Sequence, residues 1–139
     1  MSNPEPAEVI QTIDHISLGV SDLDRGRAFY DAALKPLGVT CLYSNADVAG
    51  YGRGQHPQFW VALYVAKDKR SKKPSASFHV CFQTERRSQV DAFYKAALAA
   101  GAKDNGAPGL RPQYTPTYYG AFAIAPDGHH IEAVCTAPD

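Results

Sequence analysis

From Ile13 to Val20 apolar and polar positions alternate: Ile16, Leu18 and Val20 fall on one side, His15, Ser17 and Gly19 on the other. A period of two over such a stretch belongs to a strand with one buried face. Ser21 or Asp22 can cap the helix that follows, in which Leu23, Ala28, Phe29 and Leu34 recur at helical spacing until Pro36 and Gly38 end the pattern. Short apolar or β-branched runs come next at 39–44, 48–52 and 59–65, separated by Asn45, Ala46 and Asp47 and by the turn-rich stretch 52–57, as in a meander. The first half therefore reads β-α-β-β-β.

The same order then returns. A strand is expected at 77–84, a helix at 87–100 closed by Gly101, a short extended piece at 102–105, and strands at 118–125 and 131–135. The stretch 106–117, with Pro108, Gly109, Arg111, Pro112 and Pro116, reads as a long loop of the kind that is either a functional lid or disordered. At an offset of 64, His15 meets His79, Ala28-Phe29-Tyr30 meets Ala92-Phe93-Tyr94, and Ala32-Ala33-Leu34 meets Ala96-Ala97-Leu98. This is an internal duplication. Each half of about 60 residues, with one helix and one apolar sheet face, is marginal alone, so the halves are expected to cover each other with pseudo-twofold symmetry. The expected fold class is α+β: two tandem βαβββ modules forming a half-open, mostly antiparallel barrel with the helices outside. Residues 1–11 read as a flexible tail and 12–139 as one domain, with module one at 12–66, a charged linker at 67–74 and module two at 75–136.

Charge and composition narrow the partners. Lys+Arg and Asp+Glu are 14 each, for a net charge of zero, which removes the basic excess that drives phosphate-backbone binding. No apolar run reaches the ~18–20 residues of a membrane span, and the first residues lack the basic and apolar regions of a secretion signal. A soluble, cytoplasmic protein is expected, with neither nucleic acid nor membrane as partner. Cys41, Cys81 and Cys135 form no CxxC pair and read as reduced, buried thiols.

Candidate chemistry lies on the strand faces turned away from the helices. Ile16, Leu18 and Val20 take the packing side of the first strand, so His15 points the other way. In the second module Phe78, Val80 and Phe82 take the packing side and leave His79, Cys81 and Gln83 opposite. In the last strand Ile131, Ala133 and Cys135 form one set, leaving His130, Glu132 and Val134 on the other. Taken singly, His15 and His79 read as satisfied core histidines and Glu132 as a rim carboxylate. Together they aim two imidazoles and a carboxylate into one concavity, where an ionised carboxylate is costly unless paired or metal-bound. Trp60 and Tyr64 share a strand face and are expected to line the pocket. Tyr114, Tyr118 and Tyr119 lie in or beside the expected loop, where Arg111 offers a planar fork to a substrate carboxylate. His130, Gln55 and His56 are further side chains able to supply a ligand or a base.

The segments DHISLGVSDLDRGRAFYDAAL, FHVCFQT and PDGHHIEAV resemble the vicinal oxygen chelate superfamily, which includes glyoxalase I, extradiol dioxygenases and the fosfomycin- and bleomycin-resistance proteins. The resemblance spans about Ile13 to Cys135. It implies metal ligands on the first and last strand of each module, at positions matched here to His15, Ala62, His79 and Glu132. Three of those four can bind a metal. Ala62 stands where a glyoxalase I would carry an acidic ligand, and Phe122 where an extradiol dioxygenase would carry an acid/base tyrosine. The resemblance implies one divalent ion (Zn, Mn, Ni or Fe) held by His15, His79 and Glu132, with Glu132 also the catalytic group. Trp60, Tyr64, Arg111, Tyr119 and Phe122 are expected to contact substrate. The expected function is a metal-dependent enzyme acting on a small polar molecule that chelates the metal through vicinal oxygens, with a glyoxalase-like lyase first. The alternatives are a non-catalytic sequestering protein of the bleomycin-resistance type and a dioxygenase. A homodimer is implied as well, since such proteins complete their site by pairing modules.

Overall fold

The computed structural model describes residues 12–64 and 77–138. The tail expected at 1–11 and the linker expected at 67–74 lie outside these residues. Module one runs β1 (Ile16–Val20), α1 (Leu23–Leu34), a 3-10 turn (Lys35–Leu37), β2 (Thr40–Ser44), β3 (Val48–Gly52) and β4 (Phe59–Leu63). Module two runs β5 (His79–Gln83), α2 (Arg87–Ala99), β6 (Lys103–Leu110), β7 (Tyr119–Ile124) and β8 (His130–Cys135). Each module folds into one four-stranded sheet, in the orders β1-β4-β3-β2 and β5-β8-β7-β6. In both, the first and last strands pair in parallel and the other pairs are antiparallel. The duplication in sequence is thus a duplication of topology, and neither sheet closes into a barrel.

Local chemistry sets the helix ends. Asp22 caps α1 by accepting from the Arg25 amide at 3.0 Å, which satisfies one of the free donors of the first turn. Pro36 limits the continuation to a 3-10 turn, and Gly38, at φ 75°, supplies the left-handed residue that turns the chain into β2. On the face α1 turns inward, Phe29, Tyr30, Ala33 and Leu34 are buried, and on α2 Val90, Phe93 and Ala97 are. Burying a large apolar side chain contributes on the order of 1.5–3 kcal/mol.

One hydrophobic cluster runs through both modules. Phe59 of β4 meets Phe82 beside it in β5 edge to face, with centroids 5.1 Å apart. Polar links cross the same seam: Arg25 pairs with Asp127, His129 Nε2 bonds the Gly19 carbonyl at 2.6 Å, and Arg53 donates to the carbonyls of Leu37 and Gln83. The helices pack on one face of each sheet, and the opposite faces carry the side chains of interest.

The first part of the expected loop at 106–117 is strand. β6 extends to Leu110 and pairs with β7, with irregular register between Asp104 and Gly106 and between Gly106 and Gly109. It is the edge strand of its sheet, where Pro108 costs no ladder bond on the open side. Only the turn from Arg111 to Tyr118 remains, closed by the Arg111 amide donating to the Tyr118 carbonyl at 2.7 Å.

Candidate metal centre

Three strands of sheet two set Cys81, Glu132 and Phe122 side by side, because Cys81 of β5 stands opposite Glu132 of β8 and Glu132 opposite Phe122 of β7. His79 heads β5 two residues before Cys81, hence on the same face. Its Nε2 lies 3.1 Å from Glu132 Oε1. Glu132 is 2% exposed, and its other oxygen, Oε2, accepts a short hydrogen bond from the Tyr118 hydroxyl. Gly120 provides the room, since a Cβ there would come 3.1 Å from the Tyr118 ring and 3.3 Å from Glu132 Oε2. The Phe122 ring stands 6.5 Å from the His79 imidazole. Arg111 lies over the same phenyl ring at 5.5 Å while its Nη2 donates to the Ala107 carbonyl at 2.7 Å.

Desolvation and the Glu132 carboxylate push the Tyr118 hydroxyl well above its ordinary value, so it remains a donor at neutral pH. Cys81 is exposed as a residue, but desolvation of its sulfur, reinforced by the negative Glu132, pushes its thiol up to about 12. Cys81 is thus a neutral thiol beside the carboxylate.

His15 belongs to a different cluster. Its Nδ1 lies 2.7 Å from Asp14 Oδ1, and the second oxygen of Asp14 is 3.0 Å from His56 Nε2. Among the described residues no three His, Cys, Asp or Glu side chains converge as a metal-binding group. Within one chain the His79–Glu132 pair on sheet two and His15 at the head of sheet one thus belong to separate clusters.

The His79–Glu132 pair suits a divalent cation. The 3.1 Å between Nε2 and Oε1 brings together two donor atoms of the kinds that would hold such an ion. Glu132 has no Lys or Arg partner among the described residues and relies on His79 and Tyr118.

Residues 12–133 match the Glyoxalase/Bleomycin resistance protein/Dioxygenase superfamily. The chain belongs to this superfamily. It is 29% identical over 125 residues to metallothiol transferase FosB of Shouchella clausii (strain KSM-K16), covering 89% of this chain and 80% of that protein. A glyoxalase/bleomycin resistance protein from Albidiferax ferrireducens T118 superposes with a TM-score of 0.79 at 27% identity, over 90% of this chain and 99% of that one. The fosfomycin resistance protein FosX from Listeria monocytogenes shares the fold, with a TM-score of 0.66 at 18% identity over 93% of this chain and 96% of that one.

Strand register corrects one superfamily position. Ser17 pairs with Trp60, and Cys81, its counterpart 64 residues on, pairs with Glu132. The residue in module one that corresponds to Glu132 is therefore Trp60, whereas Ala62, opposite Gly19, corresponds to Val134, opposite Gln83. The indole lies on Gly50, where a Cβ would come within 2.8 Å of the ring, and its centroid is 6.0 Å from that of Tyr43. Tyr64 shares this side of sheet one, its ring against Gly19. Where module two carries the Glu132 carboxylate, module one thus carries an aromatic wall.

Of the residues expected to contact substrate, Phe122 and Arg111 stand beside the His79–Glu132 pair, and Trp60 and Tyr64 line the open face of sheet one. Tyr119 does not face the site: its hydroxyl donates to Asp91 of α2 at 2.6 Å, and its ring packs against the core. Tyr118 takes the place expected for it. The signal was present in the sequence, because Tyr118 and Phe122 have the same parity along β7 and Tyr119 has the other.

Proposed function

We propose that the protein is a metal-dependent enzyme acting on a small polar molecule that binds through its oxygens, and that the complete site forms between two copies of the chain. His79 and Glu132 of one copy would join His15 of the other. The observation that carries this reading is the buried Glu132, held by His79 and Tyr118, with His15 left apart in the same chain. A divalent ion bound there would supply Lewis-acid activation of the substrate oxygens; Zn, Mn, Ni and Fe all suit imidazole and carboxylate donors.

The chain's own residues have separable tasks in this reading. Tyr118 fixes the orientation of Glu132 through Oε2 and leaves Oε1 toward His79. Phe122 stands as an apolar wall beside His79, and Arg111 presents a guanidinium to an anionic group of the substrate. Trp60 and Tyr64, arriving with His15, would form the opposite wall.

The reaction class follows from what the site lacks. Isomerisation of a glyoxalase substrate needs a base that moves a proton between adjacent carbons, and such a base contributes roughly 10²- to 10⁴-fold. With Trp60 in the symmetric position, the buried carboxylate of this site, Glu132, is itself a proposed ligand. A thiolate needs no base on the protein: it forms a C–S bond at an electrophilic carbon as a C–O bond breaks, and the released oxygen takes a proton from water. The likeness to a metallothiol transferase supports thiol transfer to a small anionic electrophile as the activity to test before a lyase.

The test is elemental analysis of protein purified without chelators or an affinity tag, together with thiol consumption in the presence of small epoxides. One divalent ion per chain, lost in Glu132→Ala, and metal-dependent turnover are expected. Metal-free protein that binds such molecules without consuming thiol would support sequestration instead.

A further inference from the structure

We propose that Asp14 and His56 are positioning residues for His15, setting which of its ring nitrogens faces a metal ion. The inference rests on the reading of His15 as a ligand. A carboxylate only accepts hydrogen bonds, so the 2.7 Å contact between His15 Nδ1 and Asp14 Oδ1 places the imidazole proton on Nδ1. Nε2 then carries the free lone pair. Asp14 is itself tethered, because His56 Nε2 reaches its second oxygen at 3.0 Å. The side chains of Asp14, His15 and His56 are 67%, 54% and 60% exposed, so packing does not fix their rotamers and these bonds must.

The backbone brings His56 to this place. A Cβ at Gly52 would lie 2.5 Å from the His56 carbonyl oxygen, so the tight return of the β3–β4 connection depends on glycine there. The Gln58 amide donates to the Tyr51 carbonyl, and the Ile16 amide donates to the Gln58 carbonyl, both at 2.9 Å. The loop bearing His56 is thereby tied to the start of β1.

Comparison of the modules gives the device its meaning. His79 meets the carboxylate of Glu132 in the neighbouring strand through Nε2, and the residue before it is Phe78. In module one the position of Glu132 holds Trp60, which has no acceptor for an imidazole N–H, and the residue before His15 is Asp14. The carboxylate absent from β4 is supplied from one residue upstream of the histidine.

Carboxylates that orient a ligating histidine typically change metal affinity by 10- to 100-fold when removed. Cobalt(II) titration of the full chain, read by its visible absorption, separates the possibilities. Asp14→Ala is expected to bind cobalt roughly 10- to 100-fold more weakly and to shift the spectrum. Asp14→Asn, whose side-chain oxygen can still accept from Nδ1, should recover part of that loss, and His56→Ala should weaken binding less than Asp14→Ala. His15→Ala provides the reference and should weaken binding most. Urea midpoints should stay close to wild type, since these side chains are exposed. If His15→Ala leaves the affinity unchanged, His15 is not a ligand and the underlying reading fails. If His15→Ala weakens binding while Asp14→Ala binds with wild-type affinity and spectrum, His15 stands as a ligand and the positioning role is overturned.

Discussion

Tyr118→Phe removes one oxygen atom from the site and tests what holds Glu132. The carboxylate is 2% exposed, with His79 on Oε1 and the Tyr118 hydroxyl on Oε2. The phenyl ring would remain, so the change isolates the hydrogen bond from the packing. A hydrogen bond to a charged group contributes about 1.5–3 kcal/mol, and the metal-free variant is expected to lose that much at pH 7. In a chain of this size each kcal/mol corresponds to roughly 3–5 °C, giving a fall of about 5–15 °C in melting temperature. Urea denaturation at pH 7 measures it, with Tyr114→Phe as control: Tyr114 is 58% exposed and touches Tyr118 edge to face at 5.0 Å, and its change should cost less than about 0.5 kcal/mol. The pH dependence has a definite sign. Because the folded protein raises the Tyr118 hydroxyl above its ordinary value of 10, its contribution is complete below about pH 10 and declines above it, where the unfolded chain ionises. The gap between wild type and Tyr118→Phe should therefore narrow above pH 10. A Tyr118→Phe protein within 0.5 kcal/mol of wild type at pH 7, by the threshold for neutral surface changes, would refute the assigned bond.

Three further outcomes follow from the same geometry. Gly50→Ala puts a methyl group 2.8 Å from the Trp60 ring; overpacking should cost about 1–3 kcal/mol and shift the emission of this single tryptophan, and unchanged emission and stability would count against the packing described. Trp60→Glu, and not Ala62→Glu, should strengthen divalent binding, because Trp60 holds the register of Glu132; a gain from Ala62→Glu alone would restore the alignment that the register displaced. Cys81, with its thiol pushed up to about 12, should react with iodoacetamide at pH 8 at least about tenfold more slowly than a small free thiol and faster once Glu132→Gln removes the adjacent charge; rapid alkylation of the wild type would contradict its neutral state.

Much of this was legible in the sequence because two signals reinforced each other. Alternation in β1 and β8 assigned faces to His15 and Glu132, and the offset of 64 showed that β5 repeats β1. The offset failed at the last strand of each module, where Trp60 and Glu132 are 72 apart. The longer β6 and its turn absorb the difference, and only strand pairing reveals it. β6 itself was hidden by Gly106, Pro108 and Gly109, residues that signal a loop wherever both sides of a strand must bond. On a sheet edge they are tolerated, and Gly106, at φ 144°, lets the strand bulge beside Phe122 and Arg111. Tyr119 was misplaced although strand alternation, which puts Tyr118 on the side of Phe122 and Tyr119 on the other, was legible. The separation of His15 from His79 and Glu132 lies beyond any local pattern, since it depends on how the two sheets meet.

The central claim, a metal held by His79 and Glu132 of one copy and His15 of another, is tested most directly by mixing two inactive halves. His15→Ala and Glu132→Ala are each expected to bind no metal tightly. When they are denatured, mixed in equal amounts and refolded, random pairing makes about half of the dimers mixed, and each mixed dimer has one intact site of two. The mixture should regain about a quarter of the wild-type metal content per chain, by the same pairing statistics, measured by elemental analysis after gel filtration. A mixture that stays as metal-free as its two components, while wild type treated in the same way recovers its metal, would contradict the shared site.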